Sequence, residues 1–114
     1  MDIGGREKCG FHVIDVIGKI DRLKDSIVLR SYVNSLIEKK CAAVALNLSL
    51  VTYMDSGALN VLIYCQNALK KSAGTFAVIA PNEYVNDVLK VVGLDKVVTI
   101  YSTEGDFENE CQKV

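Results

Sequence analysis

The stretch AAVALNLS at residues 42–49 is apolar at nearly every position. A strand with one wet face alternates apolar and polar residues, whereas a strand that is apolar throughout has both faces covered. Such a strand sits in the middle of a sheet with helices packed around it, so this stretch predicts an α/β chain with a largely parallel sheet. Its apolar core, residues 42–46, is strand-sized, and no window approaches the roughly 18 apolar residues of a membrane span.

The flanking segments fit that plan. FHVIDVIG, residues 11–18, is rich in β-branched and aromatic residues and reads as a strand that places His12 and Asp15 on opposite faces. His12 is expected at a surface position of that strand, without a catalytic role. Residues 19–22 read as a loop. In residues 25–40, Val28, Leu29, Tyr32, Val33, Leu36 and Ile37 recur at helical spacing. Asp25 and Ser26 suit the start of that helix, and Lys39 and Lys40 its end. Residues 50–54 read as a short link to a helix over 56–72. TFAVIAP (75–81) is a third strand, residues 82–94 a helix ending on Gly93, and KVVTIYS (96–102) a last strand. Residues 1–8 add an edge strand, against which Gly4 and Gly5 argue, and the tail holds a short acidic helix around 106–110. The expectation is one domain over 1–114 with its core at about 10–102, built on a mixed, mostly parallel sheet of four to five strands flanked by helices.

A formal net charge of −1 over 114 residues gives no bulk electrostatic case for nucleic acid. The pairs Lys39-Lys40 and Lys70-Lys71 read as solvated helix ends. The opening MDIGGREKCG lacks the apolar region of a secretory signal, so a cytoplasmic monomer is expected. The four cysteines form no CxxC pair. Cys41 and Cys65 read as small core residues, and Cys9 and Cys111 as free thiols near the termini. With one histidine and no GxxxxGK[ST] or GxGxxG, neither a metal nor a cofactor is expected.

YMDSGALNVLIYC, residues 53–65, puts an acid, a hydroxyl and a glycine between an apolar strand and an apolar helix. Asp55 or Ser56 can accept the unpaired N–H groups at the helix start. Two features reach beyond a cap. The helix carries, beside its sheet-facing stripe of Leu59, Leu62, Ile63 and Leu69, a second stripe of Ala58, Val61, Cys65 and Ala68, which either packs on a neighbouring helix or is partly exposed for docking. A hydroxyl at a helix N-terminus is also well placed for phosphorylation, with Asp55 opposing the added charge. A serine nucleophile would need a base, and His12 is the sole histidine. Asp15, Asp21 and Asp55 could meet in space, yet no substrate pocket is legible.

Three segments resemble the STAS domain, and within it the single-domain bacterial anti-sigma factor antagonists. VIDVIGKID carries Gly18, Ile20 and Asp21 of a G-x-[LI]-D turn; VALNLSLVTYMDSGALNVLIYC resembles the strand that leads through D-S-[ST]-G-L into a helix; LKVVGLDKVVTIYST carries Leu89, Gly93, Leu94 and Val98 of the C-terminal pattern. The resemblance implies a protein that binds an anti-sigma factor which is also a serine kinase, so freeing a sigma factor. The kinase phosphorylates the third position of D-S-[ST]-G-L, and a phosphatase reverses this. Here Gly57 occupies that position and has no hydroxyl. Ser56 is then the candidate acceptor, either one residue early or moved into place by an adjustment of Gly57. Otherwise the chain is a binder that no kinase switches off. The implied partner surface comprises Asp21, Asp55, Ser56, Gly57, Asn60 and Tyr64. The alternatives are an unphosphorylated STAS scaffold or transporter-accessory subunit and, more remotely, an enzyme or small-ligand sensor.

Overall fold

The computed structural model describes residues 1–79 and 82–111, the last by its backbone alone. The elements run β1 (Asp2–Lys8), β2 (Phe11–Ile20), α1 (Leu23–Glu38), β3 (Ala43–Met54), α2 (Ser56–Lys71), β4 (Thr75–Ile79), α3 (Glu83–Val91), a 3₁₀ turn (Leu94–Lys96), β5 (Thr99–Tyr101) and α4 (Glu104–Cys111). The sheet order is β1-β2-β3-β4-β5, with β1 antiparallel to β2 and every other pair parallel. The apolar stretch at 42–49 thus lies in the central strand. Val44, Leu46 and Leu48 of β3 join Ile14 and Val16 of β2 in one core with α1, α2 and α3. Ala45, with Val13, Ala77 and Ile79, faces the other side and is closed by Phe107 of α4. That side is an aromatic cap: Phe107 meets Phe11 and Tyr101 edge-on, with ring centroids 5.1 and 5.4 Å apart.

The sequence reading departs from the structure mainly at element ends. β2 continues through residues expected to loop, and β3 through the expected link at 50–54. The cause is mutual: the two strands stay paired to Ile20↔Met54, absorbing register shifts at Asp15/Ile17 and Gly18/Lys19. Gly18, at φ 96°, takes the left-handed backbone this irregularity needs. α1 starts at Leu23, before Asp25 and Ser26, and its N-cap Arg22 makes no side-chain cap bond. β5 keeps three residues because Leu94–Lys96 coil into the 3₁₀ turn behind Gly93, whose left-handed φ of 78° ends α3 as expected. The expected end of the third strand at residues 80–81, and residues 112–114 of the tail, lie outside the described residues.

The edge strand does form, despite its glycines. A Cβ on Gly5 would run into the Tyr32 hydroxyl and His12 Nε2, so a side chain there would have to displace the Tyr32–His12 pair that lies over β1. His12 is therefore not a free surface residue: its Nε2 lies 2.8 Å from the Tyr32 hydroxyl. Cys9 and Gly10 have φ of 54° and 81°, the two left-handed residues of a tight hairpin turn. Cys9 is disulfide-bonded, against the expected free thiol, and the Cys111 side chain lies outside the described residues. Cys41 and Cys65 are free, half-buried and buried respectively.

Polar contacts bind α4 to the β1–β2 hairpin. Arg6 grips Asp15 with two N–H groups, at 2.8 and 3.1 Å, and also pairs with Glu104. Lys8 pairs with Glu104 and Glu108, and Asn47 donates to Asp15 at 2.8 Å. The Arg6 hydrogen bonds hold the Asp15 and Glu104 carboxyls below their usual range. A depressed folded-state pKa gives stability that is fully present above the ordinary carboxylate value, about 4, and is lost as pH falls from there through the lower folded-state value. Denaturant midpoints should therefore fall on acidification below about pH 4. They should fall less steeply in Arg6→Met, which starts lower at neutral pH.

Two helices end on non-glycine residues in left-handed conformation, Lys40 at φ 62° and Ala73 at φ 58°. Both ends carry the paired bonds of a Schellman turn: Cys41 N–H to Leu36 and Lys40 N–H to Ile37, and Gly74 N–H to Leu69 and Ala73 N–H to Lys70. Lys40→Gly removes the left-handed cost without touching a buried group, and should raise stability by about 1 kcal/mol in urea unfolding.

Candidate functional site at the ends of the central strands

Where β2 and β3 end together, the Asp55 N–H donates to the Ile20 carbonyl at 3.1 Å. This bond brings Asp21, the next residue of one strand, beside Asp55, the next residue of the other. Asp55 is the N-cap of α2, and its Oδ1 accepts from the Ala58 N–H at 2.9 Å. Ser56 follows as the first helical residue, exposed, and Gly57 is half-buried behind it. Asn60 is exposed one turn further on, and Tyr64 is half-buried a turn beyond that. The structure thus gathers Asp21, Asp55, Ser56 and Gly57 at one end of the sheet and sets Asn60 and Tyr64 down the same helix.

Tyr64 is tied to α1. Its hydroxyl donates to Asn34 Oδ1 at 2.6 Å, and the Arg30 guanidinium lies 3.9 Å from its ring centroid. The sequence reading missed the row on α1 that meets α2 here: Ser26, Arg30 and Asn34. Their spacing of four was a usable signal, a polar line beside the apolar stripe. Ser26 is 8% exposed and is the buried polar residue of the core. Of the second stripe, Ala58, Val61 and Cys65 are buried and Ala68 is half-buried, so it packs and is not an exposed face; of the stripe expected to face the sheet, Leu62 and Leu69 are buried and Leu59 half-buried, but Ile63 is exposed. Burial pushes the Cys65 thiol up to about 12, which removes it as a nucleophile.

Other acid–base groupings do not assemble. Asp15 points to the α4 side, held by Arg6 and Asn47, away from Asp21 and Asp55. His12 lies at the opposite end of β2, eight strand residues before Ile20, roughly 26 Å away, and cannot serve Ser56 as a base. Among the described residues no group of three His, Cys, Asp or Glu is placed to hold a metal ion, and no helix is long and apolar enough to cross a membrane.

Gly57 has no left-handed φ, so α2 begins as an ordinary helix and Ser56 is not shifted into the following position. Its lack of a side chain matters sterically. A Cβ there would meet Asp55 Oδ1 at 3.2 Å and Ser26 Oγ at 3.3 Å, both tighter than usual contact. The hydroxyl of Ser26 on α1 thus lies close to the side of residue 57 where a side chain would begin.

These features define a small α/β domain with a polar surface at a helix N-terminus. The family model for the STAS domain matches residues 6–107, and the chain belongs to the STAS domain family. A Thermotoga maritima protein assigned to the anti-sigma factor antagonists is 32% identical over 80 residues, 70% of this chain and 71% of that one. The crystal structure of an anti-sigma factor antagonist from Mycobacterium paratuberculosis superposes with a TM-score of 0.85 at 24% identity, covering 98% of this chain and 94% of that one. The Bacillus anti-sigma factor antagonist SpoIIAA is also similar in fold. Its unphosphorylated form gives a TM-score of 0.78 at 15% identity over 99% of this chain and 100% of that one. Its phosphorylated form gives 0.74 at 16% identity over 95% and 98%.

The contact between Gly57 and Ser26 sets a test. Gly57→Ala should cost about 1 kcal/mol, because the added methyl crowds the Asp55 carboxylate that caps α2 and the buried Ser26 hydroxyl. In a Ser26→Ala background the same change should be neutral or stabilising, and urea unfolding of the four proteins should give a coupling of about 1 kcal/mol.

Proposed function

We propose that this chain is an anti-sigma factor antagonist that docks onto an anti-sigma factor with serine kinase activity and so frees a sigma factor. The observation that carries this reading is the exposed Ser56 hydroxyl at the start of an Asp55-capped helix, beside Asp21, in a chain of this family. The docking surface is Asp21, Asp55, Ser56 and Gly57, continued along α2 by Asn60 and Tyr64. The protein works as a cytoplasmic monomer and needs no cofactor. Ser56 is the phosphoacceptor, since Gly57 has no hydroxyl to offer. A phosphate there adds a charge of about −1.5 to −2 over the first-turn N–H groups, which tolerate it, but beside Asp55, which opposes it. The modified surface no longer fits its partner, and a phosphatase restores it.

The glycine at the usual acceptor position favours a second reading: a STAS scaffold or transporter-accessory subunit that phosphate does not switch. Incubation with the family kinase of the same genome and ATP, followed by intact mass and peptide mapping of residues 53–65, separates the two. One phosphate on Ser56, absent from Ser56→Ala, is the expected result; an unmodified chain that co-purifies with a transporter favours the second. Ser56→Asp should weaken binding to the anti-sigma factor by about tenfold or more. Unchanged affinity for that partner would remove Ser56 from the interface.

A further inference from the structure

α1 and α2 each follow a strand of the same direction, so they run side by side and parallel. Ser26 lies against Gly57 at their N-terminal ends, and Asn34 bonds Tyr64 about two turns on. Between them the helices leave a cleft of about 430 Å³ lined by Leu23, Ser26, Ile27, Arg30, Val61 and Tyr64 among others. That volume lies in the range of small-molecule sites, which are mostly apolar with a few converging polar groups. The cleft has this character. Leu23 and Ile27, one turn apart on its wall, are 79% and 55% exposed, an apolar surface left open to water.

Its polar groups are unevenly placed. Arg30 rests over the Tyr64 ring and makes no ion pair among the described residues. Its planar fork of N–H donors matches a carboxylate. Asp55, the cleft's carboxylate, sits at the other end, where it caps α2. The seven steps from Gly57 to Tyr64 span roughly 10 Å of helix. An anion held by Arg30 is thus about a Debye length from the Asp55 charge. Ser26 and Asn60 are neutral.

We infer that this cleft binds a small amphipathic carboxylate, its head on Arg30 and its apolar body along Ile27, Val61 and Leu23 toward Gly57. The site shares Asp55, Gly57, Asn60 and Tyr64 with the docking surface but stands on its own geometry. Its test needs no protein partner, so failure of either proposal leaves the other in place.

The test is a two-dimensional amide NMR titration of the full chain with octanoate, octylamine and octanol. Octanoate should give saturable shifts confined to α1 and α2 around the cleft. Octanol should bind the same residues more weakly, and octylamine more weakly still. Arg30→Gln keeps a planar group over Tyr64 and should lower octanoate affinity about tenfold while leaving octanol unchanged. Leu23→Ser, at an exposed position, should weaken octanoate and octanol alike. Absence of saturable shifts in the cleft would overturn the site. Equal binding of octanoate and octylamine, or octanoate affinity unchanged in Arg30→Gln, would overturn the anionic head.

Discussion

The site depends on one strand pairing carried to its end. Had β2 and β3 separated where their sequences first suggest, at Gly18 and Ser49, Asp21 and Asp55 would lie on independent loops. Instead the pair holds to Ile20↔Met54, and one further bond, from the Asp55 N–H to the Ile20 carbonyl, locks the two exits together. A backbone fixed this way presents the α2 N-terminus in a single orientation. The Asp55 cap then needs little conformational adjustment, because the backbone carrying its carboxyl is already placed. Gly18 belongs to the same device: its left-handed backbone lets the pairing survive a register shift.

The second dependency is between helices. Gly57 is often read as a missing hydroxyl, but in the structure it is also a missing volume. Ser26 fills the space beside it, and α1 sits against α2 at that point because no Cβ intervenes. Residue 57 and residue 26 therefore form one packing unit. A serine or threonine at 57 would require α1 to yield or residue 26 to shrink, which couples the chemistry available at the turn to the placement of α1. The apolar wall of the cleft is set by the same choice, since Leu23 and Ile27 flank Ser26 on that helix.

The alternation of strands and helices, the central place of residues 42–49 and a cap at Asp55 or Ser56 were legible because each rests on local pattern: an apolar run, a helical period, an acid before a helix. What was not legible rests on partners far away in sequence. The strand ends beyond Gly18 and Ser49 are polar or mixed, and only pairing with each other makes them strand. The hairpin turn uses Cys9-Gly10, where an Asn-Gly would have announced it. Gly4 and Gly5 spoke against a strand until Tyr32 and His12 showed what a side chain at position 5 would displace. For the site, Asp55, Ser56, Gly57, Asn60 and Tyr64 follow one another along the start of α2, with Asp21 at the neighbouring strand exit. The α1 row Ser26, Arg30 and Asn34 escaped notice because its role exists only once α2 lies beside it.

The two faces of the sheet are held by different means. The face with α1 to α3 is a broad apolar core that reaches Ala58 and Val61 near the α2 N-terminus. The other is a small aromatic cap under α4, fastened by Arg6, Asp15, Lys8 and Glu104. Ion pairs that are partly exposed contribute modestly and weaken with salt and acid, whereas apolar packing does not. Loosening α4 would thus uncover Val13, Ala45 and Ala77 without moving Asp55, whose position is fixed from the opposite face and from the strand ends. Ser56, conversely, begins α2 directly after the bond that joins the two strand exits, on the side of the sheet that does not depend on those ion pairs.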